Sequence, residues 1–471
     1  MIIRRLTNAF ALMVIISLCL TSFSQAAVSS ENAKQLGSTL TEFGAEKAGN
    51  ADGSIPPYTG GLKPVPGYDR KKMQTYIHPY SNEKPIYSIT QKNMSQYDSI
   101  LTDGTKSLLK KYPSYRVDVY PTHRSMRYLD WILENTEKNA TTAKMGGQVM
   151  GDAIIGAGPK GQPYPGVPFP IPQNGYEVMW NHKLAFTPVL DQRNKAYIVD
   201  SRGGISDLPN PHEIMFKSWY DKSGWLRENA YNSVFGFFSE QMAPPRSAGI
   251  VFLNFYLPTA EAGGQKVWFY TPGQRRCRVA PDFAYDLPIS AYGGVTVWDE
   301  IFGFVGRMDR YDFKVLGKKE MIIPYNAFTM TQVMPSEKII TKGAPNPDAL
   351  RFEKHRVWVV QADRKAGMRH MYKKRVFYID EDSWQIAAAD SYDDSGKLWR
   401  TGQIHTFPAY DVGGLNNLTW VFHDLIKDNY AIFCLGAMEP NQFNRCYMEP
   451  NEIRKLNIPL TPQAVEARMS R

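Results

Sequence analysis

Cysteine is scarce in this 471-residue chain: there are four, and Cys19 lies in an N-terminal apolar run. The other three, Cys277, Cys434 and Cys446, show none of the paired spacings of a zinc site. The eight histidines contain no H-x-H or H-E-x-x-H, so a zinc hydrolase lacks its signature. A G-x-S-x-G nucleophile elbow is missing as well. Beyond the N-terminus no run is apolar enough to cross a membrane. No repeat of solenoid period is visible. Basic residues are spread along the chain rather than gathered in a stripe, which argues against nucleic acid as a partner.

What is present begins with an export signal. Arg4 and Arg5 precede the apolar run Ala9–Leu20, and Ser24-Gln25-Ala26 offers small residues for cleavage. The expected arrangement is a signal peptide over 1–26 and a mature, periplasmic protein beginning near Ala27. Removing the two arginines lowers the formal net charge from +9 to +7. With 43% hydrophobic and 13% aromatic residues, the mature chain can fill a sizeable core. In an oxidising compartment Cys434 and Cys446 are the natural disulfide pair, worth about 3 kcal/mol for a loop of that size. Cys277 is left over and reads as a small buried apolar residue.

Two regions follow: an extended and helical N-terminal segment over 27–150, and a β-rich domain over 151–471. In the first, Asn50 to Gly61 is turn-laden, with a partial resemblance to a calcium loop that lacks its closing glutamate. Helical spacing recurs over 95–111 and 128–145. The segment Gly156 to Pro172 has no G-K-[ST], and its prolines remove backbone donors, so it reads as a rigid surface strap. Glu177 to Leu184 reads as a short helix with Trp180 facing inward. From Arg356 on, four β-rich runs (356–362, 370–380, 384–392 and 398–407) are separated by turn signals, which predicts an antiparallel meander. Ala387, Ala388 and Ala389 leave little bulk on either face of the third run. A curved sheet wrapped around helices or an apolar ligand fits this pattern.

Chemistry is harder to place. Asp380, Glu381 and Asp382 are the densest carboxylate cluster, but consecutive acids in a hairpin turn read as solvated turn residues rather than as a glycosidase pair. His370 and His405 read as hydrogen-bonded structural residues on strands. In Tyr270 to Asp286, strand alternation puts Arg276 and Arg278 on one face and Arg275 and Cys277 on the other. Two arginines side by side either pair with neighbouring acids or hold an anionic headgroup.

Several long motifs occur in one order: G-N-A-D-G-S-I-P-P-Y-T-G-G, P-G-V-P-F-P-I-P-Q-N-G-Y-E-V-M-W-N-H, P-G-Q-R-R-C-R-V-A-P-D-F-A-Y-D, and K-R-V-F-Y-I-D-E-D-S-W. Over essentially the whole mature chain the sequence resembles domain-of-unknown-function family 1329, exported proteobacterial proteins, with Val279 where a further basic residue is expected. The resemblance implies a mainly β (α+β) fold like the lipoprotein carriers LolA and LolB, a curved antiparallel unclosed half-barrel wrapped around helices. It also implies genomic company with inner-membrane transporters of the resistance-nodulation-division type and with outer-membrane barrel proteins. No catalytic residue, cofactor or metal comes with it. The expected function is therefore a periplasmic carrier or adaptor for a lipid-like molecule. Arg276 and Arg278 are the expected anchors, and Trp268, Tyr270, Trp358, Tyr372 and Phe377 the expected cavity lining. The alternatives are a ligand-free structural adaptor of a transporter complex and an envelope hydrolase acting on lipid or glycan.

Overall fold

The computed structural model describes residues 28–470 except 148, 150, 260–263, 281–284 and 436–438. The expected signal peptide, with Cys19, lies outside those residues. No helix among the described residues is long and apolar enough to cross a membrane.

Two open antiparallel sheets dominate, and the chain passes between them several times. β1 (Tyr87–Ile89) and β2 (Val117–Val119) join the larger sheet, while β3 (Lys144–Gly146) and β4 (Ala153–Ile155) form a separate hairpin. β5 (Val189–Arg193) lies in the smaller sheet. After one residue, Asn194, the chain continues as β6 (Lys195–Val199) and β7 (Ile205–Asp207) of the larger. A meander then extends the smaller sheet: β8 (Asn210–Phe216), β9 (Phe235–Ala243), β10 (Val251–Tyr256), β11 (Gln265–Thr271) and β12 (Arg276–Val279). The larger sheet resumes with β13 (Tyr311–Pro324), β14 (Phe352–Arg364), β15 (Lys374–Asp380) and β16 (Ile386–Tyr392). It ends with β17 (Leu398–Pro408), β18 (Leu415–Asp424) and β19 (Asn429–Leu435), after which β20 (Phe443–Tyr447) returns to pair with β5.

The strand order is β12-β11-β10-β9-β8-β5-β20 in the smaller sheet and β1-β2-β14-β15-β16-β17-β18-β19-β6-β7 in the larger, with β13 added on β14. Neither sheet closes on itself. The expected meander is β14 to β17, and it continues through β18 and β19. The small side chains of Ala387–Ala389 are fully inside it. The chain is thus mainly β with helices, and its antiparallel sheets are unclosed.

Helices fill and cover these sheets. α1 (Asp103–Lys111) and α2 (Asp130–Thr142) lie within the two expected helical windows, α1 being preceded by a 3-10 turn over Met94–Ile100. Thr102 caps α1 by accepting a hydrogen bond from Thr105 N. Gly104 is required there, since a Cβ would come within 1.9 Å of Thr401 Oγ1. α3 (Gly175–Lys183) is buried along its whole length and packs on β13 and β14, with Trp180 fully inside. α4 (Pro462–Met469) packs on β11 and β12.

Three apolar clusters result. The largest lies between the inner faces of the two sheets and around α3. A second, which includes Leu108 and Leu109 of α1, packs on the other face of the larger sheet, and a third joins the outer face of the smaller sheet to Val465 of α4. Alternation decides which residue goes where: along β10 Val251, Leu253 and Phe255 enter the outer cluster, and Phe252 packs against the inner one.

The strap expected on the surface runs partly inside, because polar side chains satisfy the backbone that its prolines cannot. Thr136 Oγ1 accepts from Val167 N at 2.9 Å. Asn139 donates to the carbonyls of Tyr164 and Val167, and Asn181 exchanges two hydrogen bonds with the backbone of Phe169. Residues 166–170 are buried as a result.

Candidate functional site

A cavity of about 130 Å³ lies between the two sheets. Phe235, Phe237 and Met215 reach it from β9 and β8, and Trp420, Phe422 and Phe433 from β18 and β19 opposite. The segment before β13 closes a third side with Ile289, Tyr292, Trp298 and Ile301. Residues at the rim, among them Ser247, Ile250 and Phe252, are half-buried, whereas Phe235 and Phe237 are deep. The period of two along β9 puts Phe235, Phe237, Ser239 and Gln241 on this face together.

The wall that carries Ser239 and Gln241 is polar. Glu213 on β8 accepts hydrogen bonds from Gln192, Asn194 and Ser239 at 3.1 to 3.3 Å. Gln241 Nε2 in turn donates to Ser239 Oγ at 3.1 Å. The chain extends away from the cavity through Asn444 and Asn416. Burial raises the Glu213 carboxyl above its ordinary range, the three donors offsetting part of that shift. Among the described lining residues Glu213 is the single carboxylate, and none is a histidine, lysine or arginine.

The expected site residues fall elsewhere. Arg276 and Arg278 are exposed on the edge strand β12, and neither lines the cavity. They nevertheless share its face: Phe252 pairs with Phe269, and Phe269 with Arg278. That register places Arg278 two strands, about 10 Å, beyond Phe252. Trp268 and Tyr270 face the opposite way, into the cluster shared with α4. Trp358 stacks on Trp384 with centroids 6.0 Å apart, under Lys318, and Tyr372 receives a hydrogen bond from Arg400 at 3.1 Å. Phe377 packs against Phe304 at 5.4 Å. None of these five lines the cavity. The aromatic residues that do line it lay in β9, β10, β18, β19 and the segment before β13. The alternation of Phe235-Gly-Phe-Phe-Ser-Glu-Gln was the available signal.

The structure also corrects the disulfide. Cys434 is on β19 of the larger sheet and Cys446 on β20 of the smaller, and both thiols are free. They do not share one loop, because the intervening segment carries the chain from one sheet to the other. Each meets an amide instead: Gln192 Nε2 lies 3.9 Å from Cys434 Sγ, and Asn416 Nδ2 3.5 Å from Cys446 Sγ. Burial pushes the Cys446 thiol up to about 12. Cys277 is half-buried, with Sγ 3.4 Å from the Pro462 carbonyl.

The Asp380-Glu381-Asp382 turn is buried rather than solvated, each residue at most 2% exposed. Arg124 takes both oxygens of Asp382, at 2.6 and 2.9 Å, and Lys318 and Arg356 hold Glu381 at 2.9 and 3.3 Å. Asp380 Oδ2 accepts from Tyr325 and from both donors of Ser383. His355, Asp380 and Asp382 each bring a possible metal-ligand atom within 4.8 Å of the others. Since both Asp382 oxygens are already committed to a guanidinium, the geometry is that of a charge-paired latch. Of the two histidines expected to be hydrogen-bonded, His370 pairs with Asp299 at 3.0 Å, but neither ring nitrogen of His405 has a partner among the described residues. The spacing Gly156, Gly158, Gly161 matches G-x-G-x-x-G after β4, yet only the three-residue turn Pro159–Gly161 follows, so no helix N-terminus is offered to a phosphate.

Fold and site together define a class: an open two-sheet β protein that encloses a small apolar cavity with one polar wall. The chain belongs to the family described as "Protein of unknown function (DUF1329)", whose model matches residues 88–464. An uncharacterized protein of Pseudomonas aeruginosa strain PAO1 is 37% identical over 435 residues, covering 90% of this chain and 91% of that one. A crystal structure of a DUF1329 family protein from Desulfovibrio piger matches at 12% identity and TM-score 0.38, over 55% of this chain and 88% of the other. A LolA superfamily protein from Nitrosomonas europaea matches at 9% identity and TM-score 0.34, over 60% and 97%.

Proposed function

We propose that the protein is a periplasmic carrier that holds the apolar part of a lipid-like molecule between its two sheets and hands it from one membrane partner to another. The observation that supports this reading is the inter-sheet cavity, walled by aromatic side chains with a few polar groups on one side. Such concavities are the usual form of small-molecule sites. A dry cavity of about 150 Å³ admits a benzene-sized molecule. At about 130 Å³ this one suits a single ring or a short length of alkyl chain. A longer cargo needs the sheets to spread. The transporter of resistance-nodulation-division type and the outer-membrane barrel implied by the family resemblance are the natural donor and acceptor. A hydrolase would need a second acid or base beside Glu213, and the described lining residues supply none.

The test is native mass spectrometry of protein purified from a Gram-negative envelope, with organic extraction, beside a Met215→Trp variant that fills the cavity. A reproducible apolar mass in the wild type and its loss in the variant are the expected result. The neutral fluorophore N-phenyl-1-naphthylamine should likewise bind the wild type and not the variant. If the wild type carries no such mass and the fluorophore binds both proteins equally or neither, the carrier reading falls and the ligand-free adaptor takes its place.

A further inference from the structure

We propose that the end of the smaller sheet beside the cavity rim is a docking surface for an anionic lipid bilayer. Two hairpin ends form it. The β9–β10 end, residues 241–250, carries Arg246, and the β11–β12 end, residues 271–279, carries Arg275, Arg276 and Arg278. Neither stretch contains an aspartate or glutamate. The ends lie side by side, because Val251 pairs with Tyr270 and a Cβ on Gly249 would come within 2.8 Å of Pro272.

All four arginines are exposed, and none forms an ion pair with a described residue. Five buried arginines differ in this. Arg124, Arg351, Arg356, Arg375 and Arg400 are each committed to a carboxylate. Four guanidinium groups at one end of a sheet, with no ion pair among the described residues, form a local positive field, with Glu466 of α4 turned instead to the Cys277 backbone N–H, and a guanidinium matches phosphate oxygens bidentately. The small loop residues between them, Pro245 and Ala248 on one side and Pro272 and Gly273 on the other, keep the surface low enough for a flat partner to approach.

Position selects the bilayer over an acidic protein. Ser247 and Ile250 belong to the same hairpin end as Arg246 and also line the cavity. A surface that docks this patch therefore brings its own apolar interior next to the opening. Each basic residue near an anionic leaflet is worth about 1 kcal/mol, or about fivefold in binding. The proposal does not depend on what the cavity holds.

The test is co-sedimentation of the mature protein with vesicles of phosphatidylglycerol and phosphatidylcholine, against vesicles of phosphatidylcholine alone. Binding to the first and not the second is expected, weakening as salt rises. Each single Arg→Gln change among the four should cost about fivefold. The triple variant Arg275→Glu, Arg276→Glu, Arg278→Glu should not bind, with its Tm unchanged because the positions are exposed. Reversal of the same number of charges at Lys63, Lys71 and Lys84, exposed elsewhere, should leave binding intact. No binding to the anionic vesicles, equal loss in both triple variants, or retention in the arginine triple would overturn the proposal. So would equally tight binding of soluble dihexanoyl-phosphatidylglycerol, which would make the arginines a headgroup site for single molecules.

Discussion

His405 sits on β17 with both ring nitrogens buried and without a partner among the described residues, and burial lowers its pKa to about 3 from an ordinary 6.5. The folded protein therefore keeps it neutral, while the unfolded chain takes up a proton below pH 6.5. The stability tied to this residue is whole above that pH and is lost as pH falls towards 3. Between pH 7 and pH 5 the loss is about 2 kcal/mol. In urea denaturation at those two pH values, His405→Leu should shrink the wild-type difference by about that amount; an unchanged difference would show that His405 is protonated in the fold. Glu213 has the opposite sign. Its raised pKa favours the folded state in acid and works against it as pH rises. Neither environment is legible in sequence. A histidine on a strand is usually satisfied, and only the packing shows that this one is not.

At the scale of elements, the charged turn Asp380–Asp382 ties the N-terminal segment to the larger sheet. Glu381 Oε2 accepts from the backbone of Glu46 at 3.2 Å, Arg356 donates to the Ala48 carbonyl at 3.1 Å, and Arg124 takes Asp382. Removing one partner of a buried pair leaves the other charge without compensation, at about 3–5 kcal/mol. Arg124→Ala should therefore lower unfolding free energy by that much and expose the segment before Tyr58 to protease first. Cleavage elsewhere before this segment would show that other contacts hold it. The elements themselves were readable where a pattern was long: the β14–β17 meander, α2 and the buried Trp180 of α3 all follow from spacing. The turn was misread because three consecutive acids look solvated until Arg124, Lys318 and Arg356, distant in sequence, are brought to them. The paired cysteines misled for a related reason. Their closeness in sequence says nothing about a chain that changes sheets between them.

For the whole molecule, the cavity was the least legible feature, since its walls come from strands more than a hundred residues apart. Phe237 and Phe433 meet across it only because the meander returns. Sequence marked the correct kind of fold and the strand that carries Arg276 and Arg278, but the five lining residues expected from it lie outside the cavity. A ligand that fills the cavity binds only the folded state. At a hundred times its Kd it should add about 2.7 kcal/mol and raise Tm by several degrees. Met215→Trp should abolish that rise. A rise that survives the variant would place binding elsewhere.

The single residue Asn194, at which β5 of one sheet becomes β6 of the other, makes one side of the molecule a spine and the two sheets its covers. Glu213 is fastened to that spine through Asn194 itself, and β20, returning from β19, binds the covers a second time on the same side. At the fore-edge, where β12 stands, the described residues show no such one-residue crossing between the sheets. Any widening of the cavity must then turn about the spine, so that a small angle there becomes a large gap beside the arginines.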